Sequence, residues 1–148
     1  MARIERQTTL EVAAEKAFSY LSDIPKHSEW AGDKLEIEPA SQGPLAVGSA
    51  FSCIGHQMGT HHGRITITEL VPNEKLVFES DDNTGRFRHG FIVQNQEGKT
   101  VLIKSVEPLE MRGPLRIIGP IAMGFMVPRA IAGDLKRIKA RLEGESVS

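Results

Sequence analysis

Apolar and polar residues alternate along much of this chain, and the alternation predicts mostly strands. Residues 3–12 place apolar side chains and a threonine on one parity and charged or polar side chains on the other, as in a strand with one buried face. Over residues 13–23 the apolar positions recur at helical spacing instead. Pro25 ends this helix and suits the first turn of a second short helix.

Six more strands are predicted in the middle of the chain. Glycine, proline, asparagine and aspartate cluster between the alternating segments and mark turns. Consecutive strands joined by short turns form an antiparallel sheet, and another element has to cover its apolar face. The predicted strands are residues 34–39, 50–56, 61–70, 75–79, 86–94 and 100–106.

The C-terminal part carries a helical pattern of the length needed to cover that sheet. The helix is predicted to begin near Pro114 or Leu115. Pro120 and Pro128 are expected to bend or break its first half, and Gly144 is expected to end it. Its apolar positions are spaced 4, 3 and 4 residues apart, with basic residues between them: Ile131, Leu135, Ile138 and Leu142.

The most apolar run of the chain is residues 117–132. It is shorter than the ~20 residues that span a bilayer, and Pro120, Pro128 and Arg129 interrupt it. The run therefore favours a buried helix, and no transmembrane segment is predicted. The N-terminus is charged and polar and has no apolar core of signal-peptide length, so we expect a cytoplasmic protein.

Composition narrows the function classes. The 148 residues fit one domain, 1–148, and a net charge of -1 gives no bulk basic field that would attract nucleic acid or an acidic membrane. The single cysteine, Cys53, excludes an internal disulfide framework and a multi-cysteine zinc motif, and it is interpreted as a half-buried strand residue. No cofactor-binding motif is found.

The element order and three segments resemble the SRPBCC superfamily, also called START-like or birch-pollen-allergen-like, in its polyketide cyclase/dehydrase-like branch. Residues 13–30 resemble its short helix with a phenylalanine, its proline-led second helix and its tryptophan. Residues 68–78 (TELVPNEKLVF) resemble its strand–turn–strand segment, and residues 114–143 its C-terminal helix. The resemblance covers nearly the whole chain, from Ile4 to Leu142.

This resemblance implies an α+β helix-grip fold. A seven-stranded curved antiparallel sheet would wrap around a long C-terminal helix, with two short helices between strands 1 and 2 and a deep cavity between sheet and helix. Members of the family bind lipids, sterols, polyketides, hormones or aromatic ring systems, and some catalyse cyclisation or dehydration. The family has no shared catalytic motif, so the fold alone does not imply an enzyme.

Three of the five histidines lie within the segment IGHQMGTHHGRI, residues 54–65. With a turn at Met58-Gly59, His56 and His61 are predicted to pair across a hairpin, Cβ atoms ~5 Å apart, whereas His62 points to the other face. Their face would also carry Ile54, Ile65 and Ile67, so it is predicted to line the cavity, although Phe51 on the opposite parity argues against this. Two histidines do not make a zinc site, so no metal is predicted.

His89 shares an apolar strand parity with Phe87 and Phe91, and it is interpreted either as a satisfied core group or as a polar anchor in the cavity. His27 lies in a polar turn and is expected at the surface, and Trp30 either lines the cavity or packs beneath the short helices. The candidate ligand-binding residues are Phe18, Trp30, Ile54, His56, His61, Ile65, Ile67, Phe78, Phe87, His89, Phe91, Ile118, Met123 and Met126.

The predicted function is binding of a hydrophobic small molecule (lipid, isoprenoid, polyketide or aromatic) between the sheet and the C-terminal helix. A first alternative is a polyketide cyclase or dehydratase in which His56, His61 and His89 supply general acid and base, since imidazole titrates near neutral pH. A second alternative is a protein-interaction module that uses the basic face of the last helix. A hydrophobic ligand is the partner expected, and the oligomeric state is left open.

Overall fold

A computed structural model describes residues 3–32, 35–56 and 59–144. The seven strands are β1 (Ile4–Leu10), β2 (Leu35–Pro39), β3 (Ala50–Gly55), β4 (His61–Val71), β5 (Lys75–Asp82), β6 (Gly85–Gln96) and β7 (Lys99–Met111). The helices are α1 (Ala14–Ser22), a 3-10 helix (Ile24–Glu29) and α2 (Leu115–Lys139), which continues as a π-helical turn (Ala140–Gly144). The predicted α+β helix-grip order is confirmed.

All seven strands form one antiparallel sheet in the order β1-β7-β6-β5-β4-β3-β2. Strands β2 to β7 follow one another as hairpins, while β1 pairs with β7 and so sits at the opposite edge from β2. Strands β5 and β7 run three or more residues past their predicted ends. In β5, Asp81 pairs with Arg86 and Asp82 with Gly85, so the turn shrinks to two residues, and β7 extends to Met111.

The inner face of the sheet, which faces α2, carries the core. Phe51, Ile65, Ile67, Phe78, Phe91 and Leu102 are all buried there. The second half of α2 packs mainly against β1 and β7, where it contributes Ile131, Leu135 and Ile138 to the same core. The short helices close the other side, with Phe18, Leu21 and Ile24 in the core.

Helix α2 differs from its prediction in two ways. It is continuous from Leu115 to Lys139, so Pro120 and Pro128 do not break it. By length and composition it could cross a membrane, but its second half is packed in the core, which identifies it as the C-terminal helix of this fold. The expectation that residues 117–132 are buried is wrong for the first half, where Ile117, Ile121 and Phe125 are exposed. These residues face away from the sheet, which leaves them without a packing partner in the described chain.

Candidate functional site

The histidine hairpin has a different register from the one predicted. Gly55 pairs with His61 and Ile54 with His62, so His56 lies beyond the end of β3. The exposed His56 donates from Nε2 to Glu36 Oε2 over 2.8 Å, whereas His61 donates from Nδ1 to Asn83 Oδ1 over 2.7 Å. The predicted His56–His61 pair is therefore wrong, because the loop is longer than a two- or four-residue turn. The Met58 half of the predicted turn lies outside the described residues.

The same register reassigns the faces of β3. Phe51 pairs with Ile65 and Cys53 with Gly63, so these residues share the inner face with His61. Ala50, Ser52 and Ile54 occupy the opposite parity. Phe51 therefore lies on the same face as Ile65, which removes the objection that its parity posed to an apolar inner face. The predicted placement of Ile54 on the cavity face is wrong. Cys53 is half-buried as expected, and desolvation raises the pKa of its thiol.

His27 is the most deeply placed histidine, although the sequence suggested that it lies at the surface. Only 2% of it is exposed, and its Nε2 donates to the backbone carbonyl of Leu21 over 2.7 Å. Its ring centroid lies 4.6 Å from that of Trp30 and 5.6 Å from that of Phe78. Burial, more than the nearby Lys104 charge, lowers the pKa of His27 to about 4, so the ring is neutral at neutral pH.

His89 lies on the inner face of β6, opposite Phe78 of β5 and Val106 of β7. Its ring stacks on Phe78 with centroids 4.8 Å apart, and its Nε2 shares a 3.1 Å hydrogen bond with Ser80 Oγ. Desolvation first, and then the charge of Lys104, lower the pKa of His89 to about 3. His89 is thus a neutral hydrogen-bonding group with an aromatic neighbour.

A buried charge lies beside the two histidines. Lys104, with 4% of its side chain exposed, points from the inner face of β7 towards α2, where its Nζ lies 3.6 Å from Asp134 Oδ2. The ammonium group also lies over the rings of Trp30, at 5.8 Å, and Phe91, at 5.5 Å. Since buried charges are costly unless paired, this contact fixes the second half of α2 on the sheet.

Trp30 connects the 3-10 helix to α2. Arg137 donates from Nε to the Trp30 carbonyl oxygen over 2.6 Å and from Nη2 to Asp134 Oδ1 over 2.8 Å. The indole is buried in the core, which confirms core packing beneath the short helices. Its Nε1 has no hydrogen-bond acceptor within the described part of the chain. An unsatisfied buried donor costs about 1–3 kcal/mol, which an acceptor atom from a small molecule would offset.

One end of the inner face stays partly accessible. There the ends of β3 and β5 meet the beginnings of β4 and β6. Five residues define this accessible inner patch, and each retains intermediate exposure although it faces inward: Cys53, His61, Ser80, Phe87 and His89. At the other end of the same face Leu10, Leu76, Phe91 and Leu102 are fully buried.

Most of the predicted wall residues face the interior, but some do not. Phe18, Trp30, Ile65, Ile67, Phe78, Phe91 and Met123 are buried, and Phe87 is half-buried beside Ser80. Ile118 and Met126 are 45% and 56% exposed on α2, so neither is an interior wall residue. His56 is likewise outside the interior. Of the three predicted polar anchors, the structure brings only His61 and His89 to the inner face.

Ser80, Lys104 and Asp134 were not among the predicted site residues, and His27 was expected at the surface. Lys104 carried a usable signal, since it lies on the same parity as Leu102 and Val106 in an otherwise apolar strand face. Asp134 lies between the buried Ile131 and Leu135 of α2, where a carboxylate interrupts the apolar positions. His27 gave no local signal, because its burial comes from contacts with distant strands.

No group of three or more His, Cys, Asp or Glu residues within the described ranges is arranged to hold a metal ion. A shallow groove of about 250 Å³ lies between β1 and α2, remote from the inner patch. It combines the three cations Arg6, Lys136 and Lys139 with an apolar floor of Ala132 and Leu135. Lys139 is engaged there by the Thr9 carbonyl and by Glu143, so this basic surface is partly neutralised.

The family model described as "Polyketide cyclase / dehydrase and lipid transport" matches residues 1–143. No curated protein matches the chain. Among solved structures, a START superfamily protein from Mycobacterium smegmatis is similar with a TM-score of 0.77 and 12% identity, covering 99% of this chain and 99% of that one.

Two further solved structures have the same fold. The Zhui aromatase/cyclase from Streptomyces sp. R1128 aligns with a TM-score of 0.74 and 13% identity over 98% of this chain and 95% of that chain. The Aha1 dimer from Colwellia psychrerythraea gives a TM-score of 0.68 and 16% identity, covering 97% of each chain. Identities this low show the fold alone.

Proposed function

We propose that this protein, which belongs to the polyketide cyclase/dehydrase and lipid transport family, binds a hydrophobic small molecule on the inner face of its sheet. Membership confirms the SRPBCC resemblance, and the fold is that of ligand-binding and polyketide-processing proteins. The observation that carries the proposal is the accessible inner patch. Its side chains face the helix and yet are not fully covered.

The composition of the patch supports an apolar ligand with one polar group. Phe87 and the half-buried Cys53 supply apolar surface, and burying apolar ligand area contributes ~25 cal/mol per Å² before ordering costs. The hydrogen-bonded pair of Ser80 and His89 supplies the polar contact. A neutral imidazole donates and accepts without bringing charge into the site, so it suits a hydroxyl or carbonyl group.

The pKa of His89 favours binding over acid–base catalysis. An efficient general base has a pKa near the working pH, whereas the pKa of His89 is lowered to about 3. Such a group accepts a proton poorly at neutral pH. A cyclase or dehydratase that works through His89 therefore requires the substrate to raise this pKa. The experiments below distinguish such an enzyme from a protein that only binds its ligand.

Matched substitutions on the two faces of the sheet test the proposal. Ser80→Leu fills the inner patch, and Ser52→Leu adds the same side chain on the opposite parity. The probe is 1-anilinonaphthalene-8-sulfonate, followed by fluorescence and competed with a fatty acid. We expect saturable binding by the wild type, at least tenfold weaker binding by Ser80→Leu, and no change for Ser52→Leu.

Native mass spectrometry of the wild type, purified without added ligand, gives a second readout of the same site. A copurified apolar molecule that is lost in Ser80→Leu supports binding at the patch. The proposal is overturned if the wild type binds no apolar molecule, or if Ser80→Leu and Ser52→Leu bind it equally well. Loss of turnover of a polyketide-like substrate in His89→Gln, with probe binding intact, would favour the enzyme instead.

A further inference from the structure

The first half of α2 exposes a row of large apolar side chains. Ile117, Ile121 and Phe125 are 83%, 66% and 65% exposed, respectively. They are four residues apart, which aligns them on one face of a helix. We call these three residues the apolar stripe. Ile118 and Met126, 45% and 56% exposed, flank it.

This exposure is concentrated in one place. Elsewhere in the described part of the chain, the exposed large apolar side chains are Val47 and Val71, which are far apart in sequence. Isolated exposed apolar residues are common, whereas a contiguous apolar patch marks an interaction surface. The opposite side of the same half-helix is packed, since Gly119 and Met123 are buried and a Cβ at Gly119 would overlap the Met111 sulfur. The stripe thus lies on the side of α2 that faces away from the sheet.

The charged residues within the segment that carries the stripe are all positive: Arg116 precedes the stripe and Arg129 follows it. Arg112, before Arg116, is already paired with Asp81 and Glu110. No aspartate or glutamate occurs between Glu110 and Asp134. Apolar side chains bordered by arginines match the interface of an anionic bilayer, where the apolar groups enter the headgroup boundary and the cations meet phosphate.

A second copy of the chain is a poorer partner for this surface. A symmetric dimer along the stripe would bring the same segment against itself. The arginines at its two ends would then face arginines, with no carboxylate from residues 111–133 to pair with them. Like charges placed against each other at an interface are destabilising. Charge complementarity therefore selects an anionic lipid surface.

The length of the stripe sets the mode of contact. The exposed segment, residues 117–126, spans about 15 Å at the helical rise, half of the ~30 Å hydrocarbon core of a bilayer. The following residues, Ile131 to Leu142, are held in the core by burial and by the Lys104–Asp134 contact. We propose that the apolar stripe docks this protein peripherally on an anionic lipid surface, independently of any ligand on the inner face.

Vesicle cosedimentation tests the inference. The vesicles contain either phosphatidylcholine alone or an equimolar mixture with phosphatidylglycerol. The wild type should bind the mixed vesicles and not the neutral ones, and added salt should weaken binding. Combined substitution of Ile117→Ser, Ile121→Ser and Phe125→Ser should lower the partition coefficient at least tenfold. Since all three side chains are exposed, circular dichroism should show an unchanged fold.

Two matched controls separate the stripe from general surface properties. Val47→Ser removes an apolar side chain of 64% exposure elsewhere and should leave binding unchanged. Arg116→Gln with Arg129→Gln should weaken binding about fivefold per arginine, whereas Lys16→Gln with Lys26→Gln on the short helices should not. Failure of the wild type to bind mixed vesicles, or equal binding by the triple variant, overturns the inference. The inference is also overturned if the wild type binds no vesicles and forms a dimer that is lost in the triple variant.

Discussion

Both halves of α2 carry large apolar side chains, but these side chains have opposite environments. Ile131, Leu135 and Ile138 in the second half are at most 3% exposed, whereas Ile117, Ile121 and Phe125 in the first half are at least 65% exposed. The second half packs on β1 and β7, and the Lys104–Asp134 contact holds it there. The first half touches the end of β7 through Gly119, which lies against Met111, and its Met123 is buried.

This difference shows that apolar composition does not by itself decide burial. In the second half, basic residues lie between Ile131, Leu135 and Ile138, so the apolar positions form one face that packs in the core. In the first half, apolar residues surround the helix, and the sheet can cover only one side. The remaining apolar surface has to meet something other than this chain's own core.

The largest effect should come from truncating the buried half. Ile138 is fully buried, so Ile138→Ala should lower the free energy of unfolding by about 2–5 kcal/mol. Ile121→Ala makes the same chemical change at 66% exposure and should stay within about 0.5 kcal/mol of wild type. Urea unfolding measures both. Equal losses would mean that the two halves are packed alike.

The buried ion contact should give the next largest effect. Asp134→Ala removes a carboxylate partner of the Lys104 ammonium inside the core, and breaking a buried ion pair costs up to about 3–5 kcal/mol. Because 14% of the Asp134 side chain is exposed and solvent reaches it, we expect a loss of about 2–3 kcal/mol. Asp23→Ala, which removes an exposed pair with Lys26, is the control and should cost under about 1 kcal/mol. Similar losses in urea unfolding would contradict the anchoring role of Asp134.

The packed side of the molecule should also be the pH-sensitive side. The pKa of His27 is lowered from 6.5 to about 4, so the unfolded chain takes up this proton at a higher pH than the folded chain. Stability is therefore unaffected above about pH 7 and falls as the pH drops from 6.5 towards 4, by about 2 kcal/mol at pH 5. His27→Gln should remove only the share of this slope that His27 contributes, because His89, whose pKa is lowered to about 3, destabilises the fold over the same pH range. His56→Gln, at an exposed position, should not reduce the slope. Urea unfolding of the wild type and of His27→Gln at several pH values measures this difference. An equal pH dependence in the two proteins would contradict the burial of a neutral His27.

The smallest effect concerns the local stability of the exposed half. Its amides should exchange faster with deuterium than those of residues 131–142, because little tertiary packing opposes local opening. Pro120→Ala restores a backbone donor at an exposed helical position and should slow exchange in residues 117–125. Global stability should change by about 1 kcal/mol or less. Exchange that is uniform along α2 would remove the distinction between its halves.

Much of the fold follows from local patterns in the sequence. Strand and helix periods located all the elements, since each face in contact with the core repeats its own apolar spacing. Errors arose where local patterns conflict with pairing. Asp81 and Asp82 are typical turn residues, but here they extend β5 because Arg86 and Gly85 pair with them. Because Gly55 and not His56 pairs with His61, the pairing of β3 with β4 differs by one residue from the predicted register. Neighbouring residues of a strand point to opposite faces, so this shift reverses every face assignment in β3.

The candidate site was less predictable because it is assembled over long range. Lys104 on β7, Asp134 on α2 and His27 on the 3-10 helix meet only after the sheet has curved around the helix. No spacing in the sequence relates them. His89 was located because its strand parity alone placed it among Phe87 and Phe91, although its bond to Ser80 required the pairing of β5 with β6.

The two prolines within α2 limit how deep this helix can lie. Proline has no amide hydrogen, so Pro120 and Pro128 leave the carbonyl oxygens of Arg116 and Gly124 without their usual helical donors. Both residues are exposed, and water satisfies such oxygens. In hydrocarbon each would need a donor from another group, because an unsatisfied carbonyl costs several kcal/mol there. The first half of α2 is thus better suited to the wet headgroup layer, where water supplies these donors, than to the bilayer interior.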